Sequence, residues 1–238
     1  MSLLELLIIS IFCFFQSVFG VGLLLLGTPT FLLIGYNFFE VLNILLPYSI
    51  LISFLQIISV KNKNFEFSRK IIQFSIPLLI LGLITIEYFQ NKINFIFVIS
   101  IVLILFSIIN IINLKEQKFK LKNINLALMF LGIIHGLTNL GGTLLSILAS
   151  NLNKDKNIIR YQIASGYFIF AVFQLFFINI FYEKINFIYL KFIWIPILIF
   201  FISQKIFKKI KNILFYKLLN LFALIYGIYI FINSLMLH

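Results

Sequence analysis

Negative charge is scarce in this 238-residue chain: seven Asp and Glu face nineteen Lys and Arg, a net of +12. Charge of either sign is scarce too, at 11% of residues, where a soluble domain carries about 25%. Apolar residues make up 62%, and the mean hydropathy is +1.13. So little polar surface cannot cover a water-soluble globule of this size. That excludes a cytosolic enzyme, a secreted disulfide domain and a disordered tail. Cysteine is nearly absent as well. Cys13 stands alone inside an apolar run, which excludes a disulfide framework and a thiolate metal site. Alanine (five) and arginine (two) are displaced by Ile, Phe and Lys. This bias suggests an AT-rich genome, so the 31 Phe residues are not read as an aromatic binding surface.

Reactive patterns are missing too. Glu87 stands at the end of an apolar segment, and Glu40, Glu66, Glu116, Asp155 and Glu183 stand in loops. Neither a carboxylate proton relay nor an arginine clamp is read inside the apolar segments. No HExxH and no Ser-His-Asp pattern occurs at meaningful spacing, so an enzyme is not expected. No cofactor or metal is expected either.

What is present is length of apolar run. A spanning helix needs roughly 20 apolar residues. Polar clusters cut the chain into eight apolar segments: 3–34, 41–60, 71–88, 93–114, 124–150, 161–182, 187–203 and 213–235. The first segment has no basic stretch before it and exceeds signal-peptide length, so it is read as mature chain. The expected fold is an all-α polytopic membrane protein. Segments one and five are overlong and carry glycine and polar residues at mid-length. These are Phe19-Gly20-Val21-Gly22 with Gly27-Thr28-Pro29, and the run from His135 to Thr143. Open backbone survives at membrane depth only inside protein or beside a wet cavity. Each is therefore a broken spanning helix or a re-entrant hairpin.

The cations discriminate between the two. Sixteen of them cluster between segments two and three, four and five, five and six, and seven and eight. With eight spans they divide evenly between the two sides. With segments one and five re-entrant they all fall on one side, as cytoplasmic loops retained by the positive-inside bias do. The basic residues are thus a record of topology rather than a nucleic-acid surface. Six full spans and two hairpins, with both termini outside, follow.

The halves also repeat. Residues 1–114 form a first transmembrane repeat, 115–123 a basic cytoplasmic linker and 124–238 a second repeat. Gly20-Val21-Gly22-Leu23-Leu24 echoes Gly141-Gly142-Thr143-Leu144-Leu145, and Gln56 lies about where Gln174 does. Three spans per half invert the second copy, the layout of transporters with a site at the repeat interface. Half-helix N-termini expose unpaired N–H groups that favour an anion without fixed charge. The candidate substrate-binding residues are Gly20, Gly22, Thr28, Pro29, Gln56, His135, Thr138, Asn139, Gly141, Gly142, Thr143 and Gln174. Packing glycines, an interhelical hydrogen bond from each Gln and a neutral hydrogen-bonding His135 are the competing readings.

Several of these stretches resemble one family. Gly20-Val21-Gly22, Gly27-Thr28-Pro29, Leu45-Leu46-Pro47 and Gln56 are similar to the first half of TauE/SafE permeases. Residues Thr138 to Thr143, Lys154-Asp155-Lys156 and Ala164-Ser165-Gly166-Tyr167 resemble the second half. Val21 and Thr143 interrupt the fuller glycine run of the family. The resemblance implies a permease for a small anion such as sulfite, a sulfonate or another organosulfur anion, commonly exported. The expected setting is the lipid bilayer of a bacterial inner membrane. A membrane scaffold and a passive anion channel are the alternatives.

Overall fold

The computed structural model describes residues 2–60, 63, 65–89, 97, 100–102, 104, 105, 108, 123–153, 155–182 and 187–236. Among these, regular structure is entirely helical. The helices are α1 (Leu3–Phe19), α2 (Leu23–Leu33), α3 (Phe38–Ile58), α4 (Glu66–Phe89), α5 (Ile124–Thr138), α6 (Gly142–Leu152), α7 (Lys156–Phe181), α8 (Phe187–Leu190), α9 (Trp194–Lys209) and α10 (Asn212–Met236). Of the described helices, α3, α4 and α7 are long and apolar enough to cross a membrane. The linker 115–123, apart from Asn123, lies outside the described residues, as does most of segment four.

Local chemistry sets the helix starts. Ser2 and Glu5 cap each other reciprocally at α1, and Asn37 and Glu40 do the same at α3, with bonds of 2.9 Å in both directions in the second box. Each box satisfies donors that a helix N-terminus leaves open. Asn123 caps α5 and Asp155 caps α7. Two of the loop carboxylates, Glu40 and Asp155, are therefore helix caps.

The exterior is apolar and the interior partly polar. On α7 the stripe Val172, Phe176 and Ile180 is exposed, while Ala164, Ala171, Gln174 and Ile178 are buried. Water would not tolerate that arrangement; hydrocarbon does. Inside, small residues let backbones approach. A Cβ on Gly132 would lie 2.2 Å from the Ser75 carbonyl oxygen, and one on Gly136 2.2 Å from that of Leu79. This Gly132-xxx-Gly136 seam packs α5 against α4. Residues 71–75 of α4 form one wider π turn just before Pro77, which cannot donate to the preceding turn.

The main packing pairs are α3 with α7, α4 with α5, α1 with α9, α2 with α3, and α6 with α7. The first overlong segment folds back on itself. Tyr36, just beyond α2, donates to Glu5 Oε1 near the start of α1 at 2.7 Å. The two ends of the second overlong segment also meet: Ile124, Leu152 and Asn153 line one cleft with Glu66, Lys70 and Gln162. That cleft sits at the end of the bundle where α3 leads into α4. The Glu5–Tyr36 contact sits at the opposite end, where α3 begins. The two hairpins therefore open toward opposite ends.

Two boundaries differ from expectation. Lys156 and Arg160, expected in a loop, belong to α7, because Asp155 caps that helix earlier than the apolar run begins. Segment seven is not one continuous helix from 187 to 203. The chain turns at 191–193 and α9 starts at Trp194, placing Pro196 in its first turn, where a missing N–H costs nothing.

Candidate functional site: two buried helix breaks

The first break joins α1 to α2. Gly20 closes α1 with φ +81° and donates its N–H to the Gln16 carbonyl at 2.8 Å. Gly22 opens α2 with φ +149°, a conformation that L side chains rarely adopt. A Cβ there would lie 2.7 Å from Phe15 Cβ and 2.8 Å from the Gln16 backbone nitrogen. No side chain caps α2. Gln56 of α3 reaches across and donates to the carbonyls of Gln16 (2.8 Å) and Ser17 (3.0 Å). Gln16 in turn donates to Ser49 Oγ and Ser53 Oγ at 3.0 and 3.1 Å. The Ser17 and Ser203 hydroxyls lie 2.6 Å apart.

The second break joins α5 to α6. Asn139 closes α5 with φ +58° and donates its N–H to the His135 carbonyl at 2.8 Å. Asparagine tolerates this left-handed region better than other side-chain-bearing residues. The Gly141 N–H donates to His135 Nδ1 at 3.1 Å. That bond requires a neutral imidazole with its proton on Nε2. Again no side chain caps the returning helix. Gly142 lies directly against Tyr167, where a Cβ would come within 1.7 Å of the hydroxyl. Thr138 accepts from the Leu140 N–H at 3.1 Å, and Thr143 donates to the Leu140 carbonyl at 3.4 Å.

One direct side-chain bond ties the second break to the first hairpin. Asn139 Nδ2 donates to Thr28 Oγ1 at 2.8 Å, and Gln174 Nε2 donates to Asn139 Oδ1 at 3.4 Å. Every residue named from the sequence is buried. Thr28, His135, Thr138, Asn139, Gly141, Gly142, Thr143 and Gln174 gather at the second break, with Pro29 adjacent in α2. Gly20, Gly22 and Gln56 gather at the first. Among the described contacts, none joins Gly20 or Gly22 to Gly141 or Gly142. Their local register also differs from the textual echo: the left-handed cap Gly20 has its counterpart in Asn139, two residues before Gly141.

Sequence reasoning missed Arg160. It is 4% exposed, although read as a loop cation, and its aliphatic stem lies against Gly20. Arg160 is a buried charge where none was expected. A signal was available: Arg160, Tyr167 and Gln174 stand seven residues apart in succession, so they share one face of α7. All three are buried along the breaks. Arg160 and Gln174 are ~21 Å apart along the helix axis at 1.5 Å per residue.

The family model described as Sulfite exporter TauE/SafE matches residues 6–230. Searches of curated proteins and of solved structures find no match.

Proposed function

The chain belongs to the sulfite exporter TauE/SafE family of membrane transporters, and from that premise we propose that it carries a small oxyanion across a bacterial inner membrane. Sulfite, a sulfonate or another organosulfur anion is the substrate class, and export is the direction. The family match over nearly the whole chain carries this reading. The chemistry of the interior supports it. Two uncapped helix N-termini lie buried at the breaks, and none of the five described carboxylates (Glu5, Glu40, Glu66, Glu87 and Asp155) is buried. Backbone N–H groups at such ends favour negative charge, and no carboxylate among the described residues is buried there to compete.

The movement proposed is alternating access between two inverted repeats. Exchanging the halves maps the α1–α9 packing onto α5–α4, maps α2–α3 onto α6–α7, and leaves α3–α7 unchanged. Hairpins opening toward opposite ends agree with inversion. The Thr28–Asn139 bond would then be broken or remade as one half rocks against the other.

Flux in proteoliposomes tests the function. Sulfite, alkyl sulfonates and carboxylates are loaded separately, with and without a proton gradient. Saturable flux of the sulfur oxyanions with counter-flow is expected. Flux that rises without saturation and shows no counter-flow would make the protein a channel. Flux no greater than in protein-free vesicles for every anion would reject transport and favour a scaffold.

A further inference from the structure

Arg160 is a buried charge with no counter-charge among the described residues. Its Nη1 donates to the Ser17 carbonyl at 3.4 Å and to Gln204 Oε1 at 3.0 Å, both neutral acceptors. Its Nε is buried without a partner. The guanidinium carbon lies 3.5 Å from the centroid of Phe207, and Lys156 Nζ lies 4.9 Å from the same ring. Two cations thus share one aromatic ring. None of the five described carboxylates pairs with Arg160. Taking an ion out of water is expensive unless an opposite charge meets it. Two neutral oxygens and a ring do not meet that need.

We propose that Arg160 binds the transported oxyanion at the first break, with its free guanidinium edge as the charged half of the site. The uncapped N-terminus of α2 supplies the other half, since the stem of Arg160 packs on Gly20, just before that helix. A planar fork of N–H donors matches the paired oxygens of sulfite or a sulfonate and discriminates against a spherical halide. That the bound anion is the one transported rests on the proposed function. Arg160 also locates the anion at the basic-loop end of the bundle, beside Gln56, rather than at the second break.

Thermal unfolding of the purified full chain in detergent tests it, with sulfite titrated against chloride at equal ionic strength. Sulfite is expected to raise the midpoint saturably in the wild type and chloride to have little effect. Arg160→Gln should abolish the sulfite response without lowering the anion-free midpoint, because an uncompensated charge has been removed. Arg160→Lys should keep a response at tenfold or more higher sulfite. An anion-free midpoint that falls in Arg160→Gln, with the sulfite response intact, would assign the residue a structural role and overturn the proposal. So would a wild type that sulfite stabilises no more than chloride does. If Arg160→Gln does not fold, the Arg160→Lys titration decides: an unchanged sulfite requirement overturns the proposal. Flux separates the two readings. A sulfite-stabilised protein without flux keeps the site and rejects transport, while undiminished sulfite flux in Arg160→Gln rejects the site and keeps transport.

Discussion

The two helix breaks use the same backbone device with different chemistry around it. Each ends one helix in a left-handed residue and starts the next without a side-chain cap. At the first break the cap is glycine, the carbonyls of α1 are held by Gln56, and a buried cation stands alongside. At the second the cap is Asn139, whose side chain bonds outward to Thr28; the Leu140 N–H is held by Thr138 and the Gly141 N–H by His135. The first break is thus fixed by backbone conformation and charge. The second is fixed by a web of neutral side chains. Fixed charge suits holding an anion; neutral bonds between moving parts can be broken and remade at small cost.

The largest effects should come from testing what each glycine is for. Gly22 is constrained by its own φ and by main-chain atoms of α1, so Gly22→Ala should cost about 1–3 kcal/mol in backbone strain alone, with further loss from overlap. Enlarging the space near Phe15 should not restore it. Gly142 has no unusual φ, and the nearest atoms to a Cβ there all belong to the Tyr167 side chain. Gly142→Ala should also destabilise strongly, but combining it with Tyr167→Leu should recover part of the loss. Unfolding midpoints of Gly22→Ala, Gly142→Ala, Phe15→Ala, Tyr167→Leu and the two double variants measure both couplings. Rescue at Gly22 by Phe15→Ala, or none at Gly142, would erase the distinction.

A smaller effect is expected at the bond between the halves. Thr28→Val keeps the shape and leaves Asn139 Nδ2 buried without its acceptor, a loss of about 1–3 kcal/mol. Sulfite flux should fall with it. An unchanged midpoint and an unchanged flux would show that Thr28–Asn139 neither holds nor times the halves. His135→Leu belongs in the same range at its lower end, about 1 kcal/mol, because one backbone donor, Gly141 N–H, loses its partner. A greater loss than at Thr28 would place the strength of the second break in its imidazole.

Much of this was legible in the residues. Overlong apolar runs with glycine at mid-length marked both breaks, since backbone at that depth has few alternatives. Thr28, Asn139 and Gln174 were read as neighbours of a site, and they bond in series. Arg160 was missed because charge was sorted by position relative to apolar runs, and α7 begins before its apolar run does. Asp155 as a cap, followed by four residues of the first turn, would have moved the boundary. The two-residue register difference between the breaks was also hidden. Gly20 and Asn139 do the same conformational work with no textual likeness, whereas Gly141 looks like Gly20 and serves as an N-cap.

The smallest test lies at the bases of the hairpins, where the comparison concerns stability alone. Asn37 starts α3 beyond the first hairpin in a reciprocal box with Glu40, both bonds 2.9 Å. Asn123 starts the second hairpin with bonds of 3.1 and 3.4 Å to Asn125 and Leu126 N–H and no returning carboxylate. Each cap satisfies two backbone donors, and the shorter bonds and returning carboxylate make the first worth more. Asn37→Ala should cost about 1 kcal/mol and Asn123→Ala about 0.5 kcal/mol. Neither side chain reaches a break, so sulfite flux per folded molecule should be unchanged in both. If either variant alters the flux, the hairpin base is coupled to the break through the whole length of its helix. In that case the hairpins themselves move as rigid levers.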